Sequence, residues 1–93
     1  MGKYKVALTD QAKIHLKEWE KSGQKTILKK IEQIFLDLAN HPFTGVGSPE
    51  SLKYQMTEFW SRRIDKKNRI VYSVNEEVMT VFVISARGHY DEK

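Results

Sequence analysis

The spacing of apolar residues along this chain changes at a segment rich in Pro and Gly that spans residues 42–51. Before this segment, apolar residues recur at steps of three and four positions, which is the spacing of amphipathic helices. A first helix is predicted to begin after Thr9 or Asp10, whose side chains suit an N-cap, and to be stopped by Ser22-Gly23. A second is predicted to end at His41, because a proline follows.

Short runs of strand-forming residues dominate the rest of the chain and also precede the first helix. The predicted strands are Tyr4–Leu8, Leu52–Met56, Phe59–Ile64, Arg69–Val74 and Val78–Ser85. Helices grouped apart from most strands indicate an α+β fold, with a two-helix antiparallel hairpin packed on one face of a mostly antiparallel sheet. Because 93 residues supply one hydrophobic core, residues 1–93 are expected to form a single domain.

The chain has no cysteine, which excludes disulfides, thiolate zinc sites and thiol nucleophiles. It has neither an apolar run long enough to span a bilayer nor the hydrophobic start of a signal peptide. We therefore expect a cytoplasmic protein that has no membrane partner.

The net charge of +4 favours a polyanionic partner. All four arginines (Arg62, Arg63, Arg69 and Arg87) follow residue 61, whereas the first half of the chain has only lysines. A planar guanidinium matches phosphate oxygens better than an ammonium does. This segregation predicts that phosphate is bound in the C-terminal half, with Arg62 among the residues that contact RNA phosphate.

The turn between the third and fourth predicted strands decides which arginines meet. If residues 65–67 form a three-residue loop and Asn68 takes the left-handed conformation, Arg63 lies opposite Arg69. A loop of two or four residues would place Arg63 opposite Ile70 instead. Two adjacent guanidinium groups repel each other, and either an anionic ligand or a nearby carboxylate would offset that cost.

Alternation along the strands divides the neighbouring side chains between the two faces of the sheet. The three-residue loop would place Trp60 opposite Tyr72. One face, directed at the helices, is predicted to carry Trp60, Arg62, Ile64, Ile70, Tyr72 and Val74. The other face is expected to be open, with Arg63, Arg69 and Val71.

Three candidate features suit the cleavage of RNA by its own 2′-hydroxyl. Glu50 is a candidate base for the hydroxyl proton, Arg63 and Arg69 are candidate stabilisers of the charge on phosphorus, and His89 is a candidate acid for the departing 5′-oxygen. The alternative is that Asp65, Glu58 or Glu50 simply forms an ion pair with the arginines. His15 is expected to pack on a helix face, and His41 is expected to cap a helix end.

The motifs along the chain resemble those of the YoeB (Txe/YoeB) family of bacterial toxins. The matching segments are His41–Lys53, with its Pro-Glu step, the run Phe-Trp-Ser-Arg-Arg-Ile at 59–64, Arg69–Tyr72 and the final pair His89-Tyr90. They occur in the family's order along the whole chain.

This resemblance implies a RelE-like fold and an endoribonuclease that cuts messenger RNA in the ribosomal A site without a cofactor or metal. It also implies a YefM-type antitoxin and a homodimer as partners. By resemblance, the catalytic residues are Glu50, Arg63, Arg69, His89 and Tyr90, with Tyr90 positioning the substrate and Lys53 contacting the phosphate backbone.

Three alternatives to a metal-free nuclease remain open. ParE-like toxins share the architecture but bind DNA gyrase. A plain RNA-binding module would use Phe59, Trp60 and the arginines as a platform. A metal site would use His89, Asp91 and Glu92 as ligands.

Overall fold

The structure, a computed structural model, describes residues 3–47, 49–52 and 59–88. Its elements are β1 (Lys5–Leu8), α1 (Asp10–Ser22), α2 (Lys25–Asn40), β2 (Glu50–Leu52), β3 (Phe59–Arg63), β4 (Arg69–Asn75) and β5 (Thr80–Ser85). The sheet order is β1-β5-β4-β3-β2, with β1 parallel to β5 and the other neighbouring strands antiparallel. The predicted α+β class and the mostly antiparallel sheet are confirmed.

The first helix begins and ends as its sequence predicts. Thr9 is the N-cap, and its hydroxyl accepts a hydrogen bond from the amide of Ala12. The same hydroxyl donates to the carbonyl of Ile84, which ties the helix start to β5. Gly23 ends the helix with a φ of 71°, a left-handed conformation that glycine adopts at little cost.

Both helices pack against one face of the sheet. The buried core joins Ala12, Trp19, Ile31, Ile34 and Leu38 of the helices to Ile64, Ile70, Tyr72, Val81 and Val83 from the sheet side. Trp19 also donates through Nε1 to the carbonyl of Ala86 at 2.7 Å, so its ring is fixed at its polar end as well. We call the opposite side of the sheet the distal face; it carries Ser61, Arg63 and Arg69.

Two strands begin two residues away from their predicted starts, and the other described boundaries agree to within one residue. The second strand is found at Glu50–Leu52 rather than from Leu52 onward, and residues 53–58 lie outside the described part of the chain. The last strand begins at Thr80, because Asn75 accepts hydrogen bonds from the amides of Glu77 and Val78 and holds those residues in a turn.

No helix in residues 3–47, 49–52 and 59–88 is both long and apolar enough to cross a membrane.

Candidate functional site

The hairpin between β3 and β4 has the predicted register. Arg63 pairs with Arg69 and Trp60 pairs with Tyr72. The turn is held by Asp65, whose carboxylate accepts from the amides of Lys67 at 2.8 Å and Asn68 at 2.7 Å. The prediction that Asn68 is left-handed is wrong, since Met79 is the non-glycine residue with positive φ among those described. The aspartate side chain reverses the chain without that conformation.

Glu50 and Arg69 meet on the distal face. Glu50 pairs with Ser61 across β2 and β3. The Nη1 of Arg69 lies 3.1 Å from Oε1 of Glu50 and donates to Oγ of Ser61 at 3.3 Å. The Glu50 side chain is 63% exposed and that of Arg69 is 23% exposed. An ion pair this exposed contributes at most about 1 kcal/mol to stability, so folding alone gives little reason for the contact.

Arg63 stands beside this pair with its side chain exposed. Its backbone amide donates to the carbonyl of Gly47 at 2.7 Å, which attaches the loop before β2 to the edge of β3. Among ion pairs between described residues, Arg69 has Glu50 as its partner and Arg63 takes part in none. Within the described part of the chain, the carboxylate on this face is therefore paired with Arg69 and not with Arg63.

Val71 contradicts part of the predicted distal face. Its exposure is 9%, and Ser61 beside it is fully buried. Val71 lies opposite Ser85, where the pairing of β4 with β5 shifts register. The accessible part of the face near the hairpin is thus narrower than predicted and includes Glu50, Arg63 and Arg69.

Arg62 is a correction to the predicted phosphate-binding residues. Its side chain is fully buried on the helix-facing side of β3, and Nη1 donates to Oδ2 of Asp37 at 2.6 Å. The remaining donors bond the carbonyls of His41, Thr44 and Val46 and the hydroxyl of Tyr72. Because these partners saturate a guanidinium that has no solvent access, Arg62 is not available to RNA phosphate.

This buried arginine shapes the loop that leads to Glu50. Asp37 also accepts from the amide of Val46, and Tyr72 donates to the carbonyl of Pro42 at 2.7 Å. Burial raises the pKa of the Tyr72 hydroxyl, although the bond and charge of Arg62 oppose that effect. The sequence signal for this role was the alternation that places Arg62 on the helix-facing side.

The end of the described chain returns to Arg69. The amide of Arg69 donates to the carbonyl of Gly88 at 2.9 Å, and the amide of Gly88 donates to Oδ1 of Asn68 at 2.7 Å. Upstream, the amide of Ala86 donates to Nδ1 of His15 at 3.1 Å. His15 thus binds a backbone group at the end of β5, which its predicted role in helix packing missed.

Several predicted site residues fall outside the described part of the chain. They are Lys53, Glu58, His89, Tyr90, Asp91 and Glu92. The described ranges contain no group of three or more His, Asp or Glu side chains that could hold a metal ion. The site built from described residues therefore consists of Glu50, Arg63 and Arg69, with Ser61 between them.

Comparison with known proteins gives a consistent family. The model of the YoeB-like toxins of bacterial type II toxin-antitoxin systems matches residues 8–90. Toxin YoeB of Streptomyces coelicolor is 40% identical over 72 residues, which are 77% of this chain and 82% of that protein.

Solved structures agree in fold over almost the whole chain. A YoeB/ParE toxin from Agrobacterium tumefaciens has a TM-score of 0.85 at 32% identity and covers 92% of this chain and 99% of its own. A YoeB dimer from Staphylococcus aureus has a TM-score of 0.80 at 29% identity, covering 95% and 99%. The heterotetrameric YoeB-YefM complex from the same organism has a TM-score of 0.77 at 30% identity and covers 94% of this chain and 98% of its own.

Proposed function

Because the chain belongs to the YoeB-like family of toxins of bacterial type II toxin-antitoxin systems, we propose that it is an endoribonuclease that cuts messenger RNA in the ribosomal A site. The observation that carries this proposal is the contact between the Glu50 carboxylate and the Arg69 guanidinium, with Arg63 opposite. A base and two cations on one accessible surface match what cleavage of RNA by its own 2′-hydroxyl requires.

The proposed reaction divides its proton transfers between two residues. Glu50 takes the proton of the 2′-hydroxyl, whose oxygen forms a bond to phosphorus. The bond from phosphorus to the 5′-oxygen breaks, and His89 gives that oxygen a proton. Arg63 and Arg69 hold the extra negative charge on the five-coordinate phosphorus. The products are a 2′,3′-cyclic phosphate and a 5′-hydroxyl.

The exposure of Glu50 supports its role as the base. A carboxylate with this much solvent access can be reached by an RNA ligand, and its contact with the guanidinium of Arg69 holds it at this surface. The same guanidinium also donates to the buried hydroxyl of Ser61, so Arg69 is held between the proposed base and β3. In the proposal, Tyr90 positions the substrate and Lys53 contacts a neighbouring phosphate.

Primer extension on messenger RNA bound to translating ribosomes tests this function. The wild-type protein should cut in the A site, and it should do so at the same rate after it has been treated with EDTA and freed of the chelator by gel filtration, because the proposed reaction uses no metal. Glu50→Gln keeps the shape of the side chain but removes the base, and should lose roughly 100-fold or more in rate. Absence of A-site cleavage by the wild type, or loss of cleavage after the protein itself has been treated with EDTA, would refute the proposal.

Glu77→Gln is the matched control for this experiment. Glu77 is an exposed glutamate in the turn between β4 and β5, and the same change of charge there should leave the cleavage rate within twofold of wild type. Equal losses in the two variants would show that net charge, rather than a base at Glu50, determines the rate.

We also propose a YefM-type antitoxin and a second copy of the chain as partners. The Staphylococcus aureus relatives form a dimer and a complex with YefM. Each of these structures aligns with more than 90% of this chain. Co-expression with a YefM-type protein from the same genome should yield a stable complex that no longer cuts messenger RNA. Separate elution of the two proteins would refute the antitoxin assignment.

A further inference from the structure

The segment after β5 is held by side chains of α1, by the Asn68 side chain and by the backbone amide of Arg69. Both backbone polar groups of Ala86 are bound from α1: its amide donates to His15, and its carbonyl accepts from Trp19. Both backbone polar groups of Gly88 are bound at the start of β4: its amide donates to the Asn68 side chain, and its carbonyl accepts from the Arg69 amide. The path of the chain toward residue 89 is therefore specified at two points.

Asn68 is itself held in place by the β3–β4 turn. Its Nδ2 donates to both carboxylate oxygens of Asp65, at 3.0 and 3.2 Å, which leaves Oδ1 directed at Gly88. Desolvation alone would raise the pKa of Asp65. The hydrogen bonds from the Lys67 and Asn68 amides and from the Asn68 side chain outweigh it and hold that pKa below its usual range. A charged Asp65 therefore fixes the orientation of the Asn68 amide group.

We propose that Asn68 is a positioning residue: it holds Gly88 beside Arg69 and so fixes the backbone directly before the proposed acid, His89; this inference rests on the proposed function. Asn68 and Arg69 are adjacent, so one dipeptide carries a charge-stabilising guanidinium and also binds the backbone one peptide before the proposed acid. Successive Cα atoms are about 3.8 Å apart, so fixing Gly88 restricts where the next residue begins.

The conformation of Gly88 explains why this clamp matters. Its φ is 76°, in the left-handed region, and glycine has the widest backbone freedom of any residue. Without a partner for its amide, the chain direction after Gly88 would vary. Proton transfer needs a heavy-atom distance of about 2.6–3.2 Å, and a misplacement of about 1 Å costs on the order of 100-fold. The loss of Asn68 should therefore slow the step that uses the acid.

A change of leaving group separates positioning of the acid from a general loss of structure. In one messenger RNA, sulfur replaces the bridging 5′-oxygen at the A-site cleavage position, because a thiolate leaves without being protonated. Asn68→Ala should cut normal RNA about 10- to 100-fold more slowly than wild type. It should cut the sulfur-substituted RNA within about threefold of the wild-type rate.

The ratio of the two rates is the quantity of interest, because a partly unfolded sample lowers both rates equally. Asn75→Ala is the matched control: Asn75 accepts two backbone amides in the turn at the other end of β4. Its ratio should equal that of wild type. If Asn68→Ala does not fold, Asn68→Asp keeps an oxygen toward Gly88 but loses the bond to Asp65, and its ratio should shift in the same direction by a smaller factor.

An equal loss on both substrates for the Asn68 variants would overturn the inference and assign Asn68 to the fold alone. Normal cleavage of unmodified RNA by Asn68→Ala would overturn it as well. Failure of the proposed function is a separate result, since the wild-type protein would then cut neither substrate.

Discussion

Replacement of Arg62 by leucine should destabilise the protein by about 3 kcal/mol. The change leaves the Asp37 carboxylate without its guanidinium partner and frees the carbonyls of His41, Thr44 and Val46. Breaking a buried ion pair costs about 3–5 kcal/mol. The low end applies here because the Asp37 side chain is 20% exposed and recovers some hydration. Asp37→Leu instead leaves a fully buried cation, so its cost should approach about 5 kcal/mol.

Thermal unfolding of the purified protein measures this cost. For a domain of 93 residues, about 1 kcal/mol corresponds to a change of about 4–8 °C in Tm, so Arg62→Leu should lower Tm by about 12–24 °C. The matched control is Arg63→Leu, which changes the adjacent exposed arginine and should alter stability by less than about 0.5 kcal/mol. Equal stability of the two variants would refute the assignment of Arg62 to the fold and restore it as a candidate for RNA binding.

Three further predictions concern the site and its loops. Arg69→Ala should raise the activation free energy of cleavage by about 3 kcal/mol, as for the loss of one transition-state donor, and so lower the single-turnover rate about 150-fold. A loss of rate below threefold would contradict its role. Gly45→Ala should lower Tm, because a Cβ there would lie 1.8 Å from Oδ2 of Asp37 at a φ of 120°, and an unchanged Tm would contradict the loop geometry. The pKa of Asp65 in the folded protein lies below its ordinary value of 3.8, so its stabilising contribution is present above about pH 4 and is lost as the pH falls through the lower folded value. Asp65→Asn should therefore reduce the loss of unfolding free energy, measured in urea, as the pH falls, and an unchanged loss would contradict this.

The sequence predicted the elements and one decisive register, because both depend on local patterns. Helix periodicity, the Thr9 cap and the stop at Gly23 are read from neighbouring residues. The pairing of Arg63 with Arg69 follows from the length of a three-residue turn. The conformation of Asn68 was missed, since the Asp65 side chain stabilises the turn in a way that loop length does not reveal.

The role of Arg62 could not be predicted from arginine clustering. Its partner Asp37 is 25 positions away in the sequence, and the contact exists only once α2 packs over β3. The alternation of side chains along β3 did place Arg62 on the helix-facing side, but the prediction that Arg62 binds phosphate was based on the clustering of the arginines. His15 shows the same limit, since its hydrogen bond to Ala86 spans 71 positions. The predicted roles of His89, Tyr90 and Lys53 stay predictions.

The most direct test of the proposed chemistry is a messenger RNA with one 2′-deoxynucleotide on the 5′ side of the A-site cleavage position. If Glu50 deprotonates the neighbouring 2′-hydroxyl, this RNA should remain intact on the ribosome, whereas the all-ribose RNA is cut to a 2′,3′-cyclic phosphate and a 5′-hydroxyl. Cleavage of the deoxy-substituted RNA at the same position and a similar rate would contradict the account, because the nucleophile would then be a group other than that hydroxyl.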